Sequence, residues 1–258
     1  MKTLVLAQLG AVAVWVSSVT GQTLISQFSF ELATPPDSSG SSTGPFRADL
    51  GPGSVSGFHA SAGTSYSTPI GNGSANAFSS NSWAIGDYYQ FTISTVGFNN
   101  LFVTFAMERS ATGPITFQFS YSIDGGSNFT AVGSPTDVSS AAFSAATYNP
   151  SFVSTFDLSG ITGLNNNVNA VFRLVATVGG TTTVGTARVD DFIVSSGGAI
   201  FVPEPATLTG TLAGCIAAAG VMLGRRRRRA DPMNSPCAAA RAGAMMCHAE
   251  AAARPPRH

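Results

Sequence analysis

The sequence predicts an all-β protein: an antiparallel β-sandwich or jelly roll over residues 22–200, with an N-terminal signal peptide and a C-terminal transmembrane helix. Three observations lead there. From Trp83 onward apolar residues recur with a period of two, the spacing of strands that bury one face. Gly-rich turns separate these runs, and no apolar stripe of helical period occurs before Ala206. The chain of 258 residues is 44% hydrophobic, which excludes a fully disordered chain and supplies apolar surface for a core.

Residues 1–21 have the form of a secretory signal. Lys2, the only lysine, supplies the positive start, and Leu4 to Val16 is nearly all apolar. Val19 and Gly21 are placed for a cut ahead of Gln22. This run is short for about 30 Å of hydrocarbon, so cleavage is expected over a retained anchor. Leu24 to Leu32 opens the body, with Ile25 and Phe28 or Phe30 facing inward. Between residues 37 and 82, 27 of 46 residues are Ser, Thr, Gly or Asn. Aromatics such as Phe46, Phe58, Tyr66 and Phe78 interrupt that stretch, so it is expected to form long loops with short strands rather than a linker.

The strands that follow are plainer. Tyr89, Phe91 and Ile93 alternate with polar neighbours, as do Leu101, Val103, Phe105 and Met107. Ile115, Phe117, Phe119, Tyr121 and Ile123 form one face, opposite Thr116, Gln118, Ser120 and Ser122. Asp124-Gly125-Gly126-Ser127 then makes a turn, because Gly accepts positive φ. A weaker run covers Phe152 to Leu158, and Ile161 to Asn167 reads as a loop or one helical turn. Val168 to Ala176 is a strand, Gly179-Gly180 leads into a hairpin edge at Thr181 to Val184, and Arg188 to Val194 closes the body.

Charge and cysteine usage narrow the chemistry. Between Gln22 and Val202 there are 4 arginines and 10 acids, a balance of 4 − 10 = −6 that disfavours nucleic acid as a partner. Cys215, Cys237 and Cys247 all lie beyond the body, which therefore has neither disulfides nor a thiolate metal site. His59 is the body's one histidine and reads as a polar loop residue; no nucleophile elbow surrounds any serine. Asp190 and Asp191 are the obvious carboxylate pair. Neighbouring strand residues point to opposite faces, so the two are not expected to flank one bond. No catalytic residue is assigned, and no enzyme is expected. Trp83 and Tyr88 are the candidates for stacking on sugar rings, with Tyr66 and Tyr148 behind them.

The C-terminal fifth is the most specific. Ala206 to Gly224 holds 19 uncharged residues, about the length of a spanning helix, and Arg225, Arg226, Arg227, Arg228 and Arg229 follow directly. Arginines stop transfer and mark the cytoplasmic side. Ahead of the helix, Pro203, Glu204 and Pro205 form an extended spacer that resists helix formation. Val202-Pro203-Glu204-Pro205-Ala206-Thr207, the apolar helix and the arginine cluster together resemble the PEP-CTERM sorting signal of Gram-negative bacteria, a segment also called an ice-binding-protein C-terminal domain. The resemblance covers residues 201–229. It implies export across the inner membrane, recognition of Pro203, Glu204 and Pro205 by an exosortase, and release to the cell surface or extracellular space. It also implies a biofilm or polysaccharide-matrix setting. Residues 230–258 depart from the family, whose members end soon after the basic cluster; this tail is expected to be disordered.

The body has a looser likeness. Phe119 to Gly126 and Thr186 to Val194 resemble strands of secreted jelly-roll modules related to carbohydrate-binding domains. That likeness implies a calcium ion held by Asp190 or Asp191 with Glu31, since calcium takes six to eight oxygen ligands. The alternative for these acids is a surface ion pair with Arg188 or Arg173. Two function classes stay open: a non-catalytic surface or matrix protein, and a module that binds or hydrolyses extracellular polysaccharide.

Overall fold

The computed structural model describes residues 21–201. The expected signal peptide (save its last residue), the Pro-Glu-Pro motif, the spanning helix, the arginine cluster and the tail lie outside the described residues. Two units divide the chain, Met1–Pro205 and Ala206–His258, and every described residue belongs to the first. Among the described residues no helix is long and apolar enough to cross a membrane.

The strands are β1 (Thr23–Phe28), β2 (Ser38–Ser39), β3 (Ser42–Arg47), β4 (Ser54–Phe58), β5 (Ser65–Ser67), β6 (Phe78–Ser80), β7 (Tyr88–Ile93), β8 (Leu101–Arg109), β9 (Thr116–Ser122), β10 (Thr130–Ala131), β11 (Thr136–Asp137), β12 (Val153–Asp157), β13 (Ala170–Ala176) and β14 (Ala187–Ser196). They form two antiparallel sheets. Sheet I has the order β12-β8-β14-β6-β5-β2, with β1 also on β14; sheet II has the order β10-β9-β13-β7-β4-β3, with β11 also on β9. The strands expected from period-two patterning are present, and the Ser- and Gly-rich stretch forms the short strands β2 to β6. Single 3-10 turns at Pro150–Phe152 and Thr162–Leu164 are the only helical elements among the described residues. The expected edge at Thr181 to Val184 is not a strand: its exposed residues bend across the end of the sandwich, with Thr181 N–H donating to Thr112 O.

The inner faces meet in an aromatic core. Phe91 of sheet II stacks on Phe192 of sheet I at 3.6 Å between centroids, and Phe28 meets Phe91 edge-on at 5.1 Å. Phe119 stacks beside Phe172 and meets Phe156 at 4.4 Å. On β9 the expected face is only partly buried: Phe117 and Phe119 are in the core, whereas Ile115 and Ile123, just beyond the strand ends, are exposed. Gly57 has a packing reason, since a Cβ there would stand 2.4 Å from a ring carbon of buried Tyr66. The outer faces of the two sheets differ. Sheet I is covered by residues 139–152, whose Phe143 and Phe152 pack with Ala77 and Ala106. That cover explains why β8 and β14 are buried on both faces. Among the described residues sheet II has no such cover: Tyr88, Gln90, Thr92 and Arg173 on its outer face all keep some exposure.

Candidate functional site

The outer face of sheet II is assembled by register. Phe58 of β4 lies opposite Tyr88 of β7, which lies opposite Val175 of β13; one step along, Ser56, Gln90, Arg173 and Ser120 form the next row. The period-two alternation that buries Tyr89 and Phe91 sends Tyr88 and Gln90 to this face. Phe58 and Tyr88 stack at 4.9 Å with an interplanar angle of 26°. The Arg173 guanidinium carbon lies 4.0 Å from the Tyr88 ring centroid and 3.7 Å from that of Phe129. Arg173 Nε donates to Gln90 Oε1 at 2.9 Å, which fixes the plane of the fork. Partial burial pulls the Arg173 pKa below its ordinary value, against the opposing influence of Tyr88, but an arginine stays charged. A shallow groove beside Phe58 and Tyr88 is lined by Ser41, Ser42, Ala60, Ile85 and Gly86, with His59 and Asp87 at its base. Flat rings, a fixed cation and amide and hydroxyl groups on one open face suit a polar ligand with apolar ring faces.

Of the two leading stacking candidates, Trp83 and Tyr88, only Tyr88 is placed for that role. Trp83 is 4% exposed, meets Tyr89 and Phe117 edge-on, and donates its indole N–H to Ser80 O. Its rings are core, so the stacking expectation for Trp83 is corrected: it begins a loop whose wall the sandwich closes. Tyr66 is likewise buried, against Phe78. Phe58, Phe129 and Arg173 were missed. Phe58 carried the signal of an aromatic within a Ser/Gly-rich strand, and Arg173 that of a charge among six apolar residues of β13.

His59 is also corrected, from a polar loop residue to a core one. Its side chain is 0% exposed; Nδ1 stands 3.0 Å from Asp87 Oδ2, and Nε2 lies 3.0 Å from Ser80 Oγ. The Nδ1 contact is close but not aligned as a hydrogen bond. Ser80 Oγ continues to Tyr89 OH at 2.7 Å. Asp87, His59 and Ser80 thus have the order of a catalytic triad, but Ser80 is 1% exposed and the ring is walled by Trp83 at 4.3 Å. A nucleophile sealed in a core meets no substrate. Burial lowers the His59 pKa more than Asp87 raises it.

The acids of β14 lie on the covered side of sheet I. The β14–β8 register shifts between Asp190 and Ile193, and Asp191 has φ +48°. This bulge breaks the alternation on which the opposite-face expectation rested: Asp190 pairs with Ala106, and Asp191 lines a small cavity with Ala106, Thr104 and Ile193. Asp190 accepts from Asn72 N–H at 2.8 Å, Ser74 Oγ at 2.7 Å and Asp191 N–H at 2.8 Å. Burial first, then the charge of Asp190, pushes Asp191 up to about 8, and burial pushes Asp190 up to about 6. Among the described residues neither acid pairs with an arginine: Arg188 binds Glu108 at 2.9 Å, and Arg173 is on the other sheet. Glu31, the third acid of the calcium expectation, is turned aside by Asn76, whose N–H donates to Oε1 at 2.7 Å. Among the described residues no three acids or histidines converge on one point. Asp190 and Asp191 are thus two carboxylates, short of the six to eight oxygens that calcium takes.

A second concavity opens between the sheet edges over Phe105, Met107, Phe117 and Phe119, with Asp137 and Ser154 on its rim.

No protein-family model matches the chain, and no curated protein matches it. Among solved structures it is similar to the CBM22-1–GH10 modules of an endo-1,4-β-D-xylanase of Clostridium thermocellum complexed with xylohexaose, at 12% identity over 70% of this chain and 30% of that one, TM-score 0.41. This chain thus spans about a third of that protein's length. It is also similar to the CBM22-1 xylan-binding domain of a Paenibacillus barcinonensis protein, at 12% identity over 67% and 94% of the two chains, TM-score 0.35. A family 11 carbohydrate-binding module from a Clostridium thermocellum cellulase matches at 13% identity over 71% and 98%, TM-score 0.34.

Proposed function

We propose that this chain is the precursor of an exported, non-catalytic module that binds extracellular polysaccharide on the outer face of sheet II. The carrying observation is the uncovered row of Phe58, Tyr88, Arg173 and Phe129, with Gln90 holding the guanidinium. Pyranose rings present apolar faces and hydroxyl edges, and stacked rings beside fixed polar groups answer both. The reading is non-catalytic because the Asp87–His59–Ser80 chain is enclosed and Asp190 and Asp191 are buried beneath residues that bond them. Export, processing by an exosortase at Pro203, Glu204 and Pro205, and a cell-surface or extracellular destination belong to the same proposal, supported by residues 202–229. Calcium at Asp190 and Asp191 is proposed as structural, since both lie on the face opposite the sugar site.

The test is affinity electrophoresis or calorimetry of the purified protein against soluble plant and bacterial polysaccharides. Binding is expected, with a loss of roughly tenfold, about 1.4 kcal/mol, in Tyr88→Ala. A folded protein that binds none of them, or a Tyr88→Ala variant that binds unchanged, removes this reading.

A further inference from the structure

We infer that the ligand on sheet II is an acidic glycan, recognised through the carboxylate of a uronic acid by the edge of the Arg173 guanidinium. This rests on the proposed sugar-binding role of that face. Two rings lie over the guanidinium, at 4.0 Å and 3.7 Å, so its flat faces are taken. Nε is spent on Gln90. What remains is the terminal pair Nη1 and Nη2, which donates to no group among the described residues. Such a pair, planar and pre-oriented, matches a carboxylate with two parallel hydrogen bonds. Neutral sugars need no fixed cation, and an arginine used only for packing would not need its plane clamped on three sides.

Charge placement supports this independently. The body has ten acids and four arginines, yet the strands of sheet II hold two of the arginines, Arg47 and Arg173, and one acid, Asp137. Asp137 lies at the β11 edge, where Thr116 Oγ1 donates to it at 3.1 Å. Among the described residues Arg173 therefore has no carboxylate partner, unlike Arg188 with Glu108. Arg47 lies opposite Ser54, and Ser54 opposite Thr92, so it stands on this face near the far edge. Three strand spacings separate the two arginines, roughly 15 Å, room for several sugar units between two anionic groups. Over such distances salt screens the rest of the acidic body, so the local cations govern.

The experiment pairs polygalacturonate, alginate and glucuronoxylan each with its carboxyl-reduced counterpart, against the purified full chain. Dextran sulfate and neutral β-glucan complete the set. At least one acidic polymer is expected to bind roughly tenfold tighter than its reduced form, with a preference that shrinks as salt rises. Arg173→Gln should abolish the preference, with an unchanged circular dichroism spectrum and melting temperature showing that it folds. Arg173→Lys, which keeps the charge without the fork, should lose most of it. Equal binding of acidic and reduced polymers overturns the uronate inference and leaves the sugar-binding reading standing. Tightest binding to dextran sulfate overturns the carboxylate assignment, and full preference in Arg173→Lys overturns the fork. If no polymer binds, both readings fall.

Discussion

At His59 two opposing effects meet. Removing the ring from water disfavours its cation, while Asp87 at 3.0 Å favours it; desolvation is the larger, so the folded protein holds this proton less tightly than the ordinary value of 6.5. The other ionisable groups against the ring are Tyr66 and Tyr89, which burial raises so that both stay neutral. As pH falls through 6.5 the unfolded chain gains a proton that the folded chain resists, so the site's contribution to stability falls with pH and returns above that value. Urea unfolding of the protein and of His59→Gln should show the wild-type advantage shrinking between about pH 7.5 and about pH 5. A constant or growing advantage would mean that Asp87 wins. Trp83 offers a second test at this scale. Its removal should cost about 3–5 kcal/mol as a core cavity. Tyr88→Ala, on the open face, should stay within about 1 kcal/mol and lose ligand instead. Similar stabilities for the two variants would contradict their placement. Both tryptophan and tyrosine were legible as strand-flanking aromatics, but their fates differ because one precedes β7 and folds inward while the other alternates outward.

Among the elements, β14 departs most from its pattern. Thr186 to Val194 reads as a plain closing strand, and alternation alone separates Asp190 from Asp191. The bulge brings both to the covered side of sheet I, an outcome that period-two reasoning cannot see because an extra residue shifts the phase. The loop after Ile70 completes the arrangement. A Cβ on Gly71 would stand 2.2 Å from Asp190 Oδ2 and 2.0 Å from Ser74 Oγ, so only glycine lets the chain pass this close. Gly71→Ala should therefore lower the melting temperature by several degrees, on the order of 1–3 kcal/mol. Millimolar calcium should raise the melting temperature of the wild-type protein and leave Asp191→Asn unmoved. No calcium shift in the wild type would show that the paired acids are stabilised by protons and hydrogen bonds alone. β9 teaches a milder lesson: its five apolar residues share one face, but Ile115 and Ile123 fall beyond the paired segment and stay in solvent.

For the whole molecule, the charge pattern divides the body by face. The strands of sheet I hold four acids, Glu108, Asp157, Asp190 and Asp191, against Arg109 and Arg188, while those of sheet II hold Arg47 and Arg173 against Asp137 alone. The export proposal is tested at the same scale. Intact-mass measurement of protein recovered from the surface of a producing cell should place its N-terminus near Gln22 and its C-terminus near Pro205. In a host lacking exosortase, or with Glu204→Ala, the protein should stay with the membrane. Surface protein that retains Arg225 to Arg229 would make the segment a simple anchor.

The sequence by itself determined the all-β class, most strand positions, and the outward alternation of Tyr88 and Gln90, because a half-buried strand writes its burial into every second residue. It also carried the sorting-segment reading, which depends on composition along the chain and on nothing distant. The tertiary structure alone decided that Trp83 and His59 are core, that Asp190 and Asp191 share a side, and that Arg173 is clamped between Tyr88 and Phe129. Each of these joins residues far apart in sequence or turns on a one-residue slip in register. Local periodicity carries no record of either, since contact across sheets is set by how the two layers pack.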